Sequence, residues 1–183
     1  MKGQSQSRLS AQHWVLTALQ ELAEHGPDAL TIENMCLKLN KTKGSFYAHF
    51  NNHDVFLDAV VQYWRQNDTQ SLIHNADQET LPHDRLTKLN HLAVRLDDRI
   101  DRGIRMLAYR KPKVAEAVRQ VDDMRIAYLA DLHIAAGHHC DSDARDLATI
   151  EYAAYVGLRM TGTSRDANEL DRLHKVFTRF VSH

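Results

Sequence analysis

Residues 31–53 read TIENMCLKLNKTKGSFYAHFNNH, and the fold follows from how this stretch divides. Thr31 stands before Ile32, Met35, Cys36 and Leu39, apolar positions that share one face of a short helix. Threonine caps a helix start well, and Glu33 in the first turn suits the helix dipole. Asn40 follows, a residue that tolerates the left-handed turn almost as well as glycine. Thr42 can then cap another short helix running to Ala48. Two short helices joined by a tight turn form a helix-turn-helix.

Working outward, Ser10 can cap an earlier helix in which Trp14, Val15, Ala18, Leu19 and Leu22 recur at helical spacing. Gly26 and Pro27 stop it, glycine by taking the left-handed C-terminal position and proline by refusing to continue. Beyond residue 53 the pattern lengthens, and helices are expected over 54–74, 84–99, 102–110, 113–136, 143–162 and 167–182. The expected breaks are Pro82, Gly103, Pro112, the stretch 137–143 and Gly162. The chain has 183 residues, 43% of them hydrophobic, with only 7 Gly and 3 Pro. A core is therefore within reach, and helix is favoured over sheet. The fold class expected is all-α: a three-helix, helix-turn-helix domain over 1–53 and a larger helical domain over 54–183.

Cys36 and Cys140 lie far apart, without a pairing motif. Met1 to Ser10 is polar and lacks the apolar core of a signal peptide. No run approaches the ~18 apolar residues that span a bilayer. No membrane partner and a cytoplasmic location are the expectations.

Charge is the most informative local feature. The net charge of the whole chain is -1, so any nucleic-acid binding must come from a patch. Between Asn34 and His53 there is no acid, whereas Lys38, Lys41 and Lys43 are all present; residues 1–20 are also acid-free. A phosphate-facing surface requires this, because each carboxylate facing DNA forfeits attraction. The segment Thr42 to His49 adds Ser45 and Tyr47, with Gly44 offering no side chain to hold a duplex away. Hydroxyls bind phosphates, and Lys43 can reach base edges.

From Leu9 to Val60 the chain resembles the DNA-binding domain of the tetracycline-repressor (TetR) family. The resemblance rests on "LAEHG", on "ALTIENM" and above all on "TKGSFYAHFNNHDVFLDAV". It implies that Tyr47 contacts the DNA backbone and that Thr42, Lys43, Gly44 and Ser45 approach phosphates or bases. It also implies that Phe46 and Phe50 lock the reading helix to its scaffold. Thr31, Lys41, His49 and His53 complete the candidate DNA face. The chain departs from the family pattern at Asn40, where the family often has Gly, and at His53, where it often has Lys. Neutral histidine keeps a hydrogen bond but loses the charge; Lys41, in a usually apolar turn position, is a candidate to restore it.

The resemblance further implies a repressor released by a ligand, with a near-palindromic double-stranded DNA operator. A homodimer is expected through the last two helices, whose stripes carry Leu147, Ile150, Ala154 and Leu158, then Leu170, Leu173, Phe177 and Phe180. A small apolar or aromatic effector is expected among Tyr63, Trp64, Met106, Tyr109, Met124, Tyr128 and Tyr152. A regulator of the same fold that activates, or that answers to a protein partner, is the alternative, and a body closed by its own side chains favours it; a metal sensor built around the 133–143 cluster is the further one.

Arg102, Arg105, Arg110, Lys111 and Lys113 form an acid-free stretch, expected as a solvated basic surface ahead of a DNA or anion contact. His133, His138, His139, Cys140, Asp141 and Asp143 make the one metal-like cluster, without a recognisable ligand spacing. No metal or cofactor is expected. The chain has no G-x-S-x-G, phosphate loop or dinucleotide fingerprint, so an enzyme is not expected.

Overall fold

The computed structural model describes residues 10–137, 141–161 and 166–181, and within them the side chains of all but 141, 142 and 178–181. The described residues hold ten α-helices and no strand. Helix α1 spans Ala11–His25, α2 Ile32–Lys38, α3 Lys43–Tyr47 and α4 His53–Arg65. The turn between α2 and α3 forms as the sequence anticipates. Asn40 takes φ 50°, and the Lys41 amide donates to the Cys36 carbonyl at 2.8 Å. Thr31 and Thr42 both cap, accepting from the amides of Asn34 (3.1 Å) and Ser45 (3.2 Å). Gly26 ends α1 at φ 76° and ψ −174°, a positive-φ extended conformation that only glycine adopts freely.

Four aromatic rings close the head. Phe46 has no exposed surface and meets Trp14, Phe50 and Phe56 at centroid distances of 5.4, 5.3 and 5.3 Å, two of them edge-on. Edge-to-face rings of this kind add to the area term of burial. Their hydrophobic cluster runs without a break through Leu57, Val60 and Trp64 of α4 to Ile104, Val114 and Val121 of the body. Helix α4 thus starts in the head and ends in the body.

The run expected over 54–74 is helical throughout but not uniform. After α4 the chain makes a wide π turn over Gln66–Gln70, then continues as α5, Ser71–Ala76. Pro82 opens α6, Pro82–Ala93, and Pro112 opens α8, Pro112–Ala135; each proline sits in the first turn, where its missing N–H costs nothing. Helices α9, Asp141–Met160, and α10, Ala167–Val181, complete the body, with α8 packed along α9.

One expected boundary is corrected. Gly103 does not break a helix: α7 runs through it, Asp98–Ala108. The break lies earlier, where Asp97 accepts from the Arg99 amide at 3.0 Å and starts α7. Gly103 is buried against α1, and a Cβ built on it would stand 2.6 Å from Leu22 Cγ. The glycine lets two helices approach, one from the head and one from the body.

Candidate nucleic-acid interface and body cavity

On α3 the side chains divide cleanly. Phe46 points inward, whereas Thr42, Lys43, Gly44 and Tyr47 are exposed, Tyr47 with 51% of its surface in solvent. Lys41, Ser45 and His49 are half-buried at the edge of this face. The nearest atom to a Cβ built on Gly44 is Thr42 Oγ1 at 3.6 Å, an ordinary contact. Nothing inside the protein therefore demands glycine there, and the space it leaves opens outward. Lys43 pairs with Glu33 across the helix-turn-helix, and the pair is exposed. Each charge stabilises the other, so the Glu33 carboxyl sits below its ordinary range and the Lys43 amine above.

His53 is placed differently from the rest of the candidate face. Its Nε2 donates to the Leu30 carbonyl at 2.5 Å, tying the start of α4 to the entry of α2. The ring thus serves as a strut beside the interface. Thr31 stays exposed, with its oxygen engaged as the α2 cap. Glu21, which sequence reading passed over, is buried and holds α1 to α2. It accepts from Lys38 at 2.7 Å and from Asn34 at 3.2 Å, and the Lys38 bond holds its carboxyl low. Its signal was available: a glutamate between Ala18 and Leu22 on the buried face of α1 calls for a basic partner.

In the body a cavity of about 120 Å³ opens between the π turn, α5, α6, α8, α9 and α10. Most of its wall is apolar, from Leu72, Leu89, Leu129, Leu158, Leu173 and Phe177. Two polar groups of side chains interrupt the wall. At one, Arg125 donates through Nε to Thr69 Oγ1 (2.9 Å), and through Nη1 to Asp101 (3.3 Å) and the Tyr152 hydroxyl (3.1 Å). Its Nη2 reaches the Asp68 carbonyl at 3.1 Å, and its guanidinium lies over Trp64, 5.3 Å from the ring centroid. Arg105 joins from behind, donating to Asp101 and Asp122 at 2.7 Å each and to Tyr152 at 2.9 Å. Tyr152 passes its own proton donor to Asp122 at 2.6 Å. At the other, Glu151 takes a 2.7 Å bond from His133, and Asn90 meets His174 at 2.7 Å.

Residues 15–60 match the model of the family described as bacterial regulatory proteins, tetR family. The match lies within the head of the chain. The chain's fold is similar over nearly the whole length to several solved structures. One, from Rhodococcus sp. and described as a TetR-family transcriptional regulator, shares 16% identity at a TM-score of 0.77, with 94% of this chain and 99% of that one covered. Salmonella enterica GusR shares 19% at 0.71, covering 94% and 91%. The ketosteroid transcriptional regulator KstR2 of Mycobacterium tuberculosis shares 19% at 0.58, covering 98% and 95%. No curated protein matches the chain by sequence. Among the described residues no helix is long and apolar enough to cross a membrane.

Within the body the candidate effector residues separate. Tyr128 and Tyr152 line the cavity. Trp64 is buried beneath Arg125, and Tyr63 packs half-buried against the central hydrophobic cluster. Met124 is half-buried away from the cavity wall, whereas Met106 is exposed and Tyr109 stands 89% in solvent. An amphipathic pattern cannot tell a cavity wall from a solvated flank, and the residues found at the wall but not anticipated include polar Asp68, Glu151 and His174 beside apolar Leu72, Leu89 and Leu129. Of the dimer stripe, Ala154, Leu158, Leu170, Leu173 and Phe177 line the cavity, while Leu147 is half-buried and Ile150 is 60% exposed. The side chain of Phe180 lies outside the described residues.

The basic stretch is largely paired rather than free. Arg102 bonds Asp98 at 2.7 Å, Arg105 bonds Asp101, Arg110 pairs with Asp28, and Lys111 reaches Asp54 at 3.2 Å. The last two carry charge from the body onto the head. Of the metal-like cluster, His133 is buried against Glu151, and Asp143 is exposed on α9. His138, His139, Cys140 and the Asp141 side chain lie outside the described residues.

Proposed function

We propose that the chain is a sequence-specific repressor that binds a near-palindromic operator as a two-fold homodimer and is released by a small molecule in the body cavity. One observation carries the DNA half of this reading: α3 buries Phe46 and presents Thr42, Lys43, Gly44 and Tyr47 together on one outer face. The two hydroxyls and the ammonium can serve phosphates and base edges, and Gly44 leaves room for the duplex. A two-fold dimer presents two such helices to successive major grooves, roughly 34–36 Å apart. Exposed Ile150 on α9 and the outer edge of α10 supply the pairing surface.

The cavity favours an effector over the alternative of a body closed by its own side chains. A mechanical route joins it to the head. The helical run that starts with His53, bonded to Leu30 beside the reading unit, ends in the π turn that brings Asp68 and Thr69 to the cavity wall. A ligand that fits the wall in only one setting of this run shifts the population of heads that match the operator spacing; equal affinity for both settings shifts nothing.

Selection of duplexes from a random DNA pool at two salt concentrations tests the reading. An inverted repeat is the expected product. Tyr47→Ala, at an exposed position, is expected to lower affinity for that repeat by about tenfold or more with an unchanged unfolding midpoint. Recovery of duplexes with no shared motif, or a Tyr47→Ala protein that binds like the parent, overturns the assignment of this face.

A further inference from the structure

The cavity wall carries two carboxylates, and they differ in what holds them. Glu151 is buried, bonded by His133 at 2.7 Å and approached by His174 at 3.9 Å. Asp68 lies on the π turn, and only its main-chain carbonyl is taken, by Arg125. Its carboxylate makes no hydrogen bond or ion pair among the described residues, although Arg125 and, more weakly, Arg159 are close enough to be felt electrostatically, offset in part by Asp101 and Asp97.

Arg125 cannot turn to it without loss. Its Nε and Nη1 donors are spent on Thr69, Asp101 and Tyr152, its Nη2 on the Asp68 carbonyl, and its face on Trp64. Asp101 is in turn held ionised: burial pushes its carboxyl up, but Arg125 and Arg105 together bring it below its ordinary value. Arg125 is thus the counter-ion of Asp101 and has little left for a ligand anion. At the far group, burial pushes the His174 ring toward its neutral form. The balance of charge facing the space is negative, and the carboxylate without a partner sets it.

An isolated carboxylate in a mostly apolar wall is costly unless something cationic arrives. Burial pushes the Asp68 carboxyl up to about 6, which records that cost, so near neutral pH the group is largely ionised and lacks a partner. Tyr152 and Tyr155 stack at a centroid distance of 6.2 Å on the wall and add apolar ring surface for a skeleton, Arg125 and Arg159 already lying over them at 6.0 and 5.0 Å.

We infer that the effector is an apolar molecule carrying a cationic nitrogen, and that the Asp68 carboxylate is the counter-ion that receives it. The inference rests on the effector reading above and narrows its chemistry. The apolar wall takes the skeleton, and Asp68 selects the charge. A carboxylic acid of the same skeleton would bring a second anion to a space whose guanidinium is already engaged.

Three probes with one skeleton and three charges test it: phenylbutylamine, phenylbutanol and phenylbutyrate, titrated calorimetrically into the full-length protein near pH 7.5. The amine is expected to bind about tenfold more tightly than the alcohol, with the acid weakest. In Asp68→Asn the amine should fall to the level of the alcohol while the alcohol keeps its affinity, a split that a general loosening of the body would not produce. Equal binding of all three, or an amine preference that survives Asp68→Asn, overturns the inference and leaves the cavity reading standing. If none of the three binds and none changes the operator affinity, the effector reading fails and takes this inference with it.

Discussion

The head closes on Trp14, Phe46, Phe50 and Phe56, rings with no ionisable group among them, whereas the body buries Arg125, Asp101 and Arg105 beside a cavity. The two solve different problems. The head must hold α3 rigid so that its outer residues meet a duplex in register, and close-packed apolar side chains do this without competing hydrogen bonds. The body must keep a space open, and a network of paired charges can brace the walls of a space that apolar packing would fill. The head is therefore expected to fail by losing volume, and the body by changing charge.

The largest effect should come from the head. Phe46→Ala removes the ring at the centre of the aromatic group and should cost about 3–5 kcal/mol in urea unfolding, enough to melt α3 off its scaffold. Its neighbour Tyr47 offers the contrast, since an alanine there should leave stability nearly unchanged. If Phe46→Ala proved as stable as the parent, the head would not owe its shape to this core.

The next effect should carry the opposite sign. The Asp68 carboxyl is raised from 3.8 to about 6 in the folded chain, so folding disfavours its ionised form. Below the unfolded value both states are protonated and the group costs nothing; as pH rises through the folded value the full cost appears. Asp68→Asn should therefore stabilise the protein by up to about 3 kcal/mol near pH 7, with the gain vanishing below about pH 4. A gain independent of pH would mean that packing, and not the uncompensated charge, had changed.

The same division explains what the sequence made legible. The head is a run of local signals: Thr31 and Thr42 cap and Asn40 turns left-handed, as those residues lead one to expect. His53 escaped because its partner is the Leu30 carbonyl, and no side-chain pattern announces a backbone acceptor. In the body the decisive contacts span long distances in the chain, Arg125 to Asp68 and Thr69, and Arg159 to the carbonyls of Ala93 and Leu96. A helix-period stripe reports that a face is apolar, not whether it meets a cavity wall, a neighbouring helix or a second chain. Leu158 and Leu173, expected at a dimer seam, line the cavity; Tyr109, expected in the cavity, faces solvent.

Gly103 shows how a residue type misleads when its context is three-dimensional. A glycine in a helical pattern reads as a break, yet here it sits mid-helix because Leu22 of α1 occupies the place of its side chain. Gly103→Ala would gain about 1 kcal/mol of helix propensity and lose about 1–3 to overpacking. A small net destabilisation is expected, lodged between head and body, with amide exchange rising in α1 and α7 together. A stabilised variant would show that the two helices have slack.

The smallest effect tests where the head and its ligand compete for one lysine. Lys43 is paired with Glu33, and because both are exposed the pair contributes little to folding. To meet DNA, Lys43 must leave Glu33, and the glutamate then faces a phosphate backbone of its own sign. Glu33→Gln should keep the unfolding midpoint and tighten operator binding about two- to fivefold at low salt, the advantage shrinking as salt screens it. A variant that bound DNA less well would mean that Glu33 positions Lys43 for a base and does not merely hold it back. The lysine would then belong to sequence recognition, because losing its orientation would weaken the operator more than unrelated duplexes, a difference the same titration on random DNA would read directly.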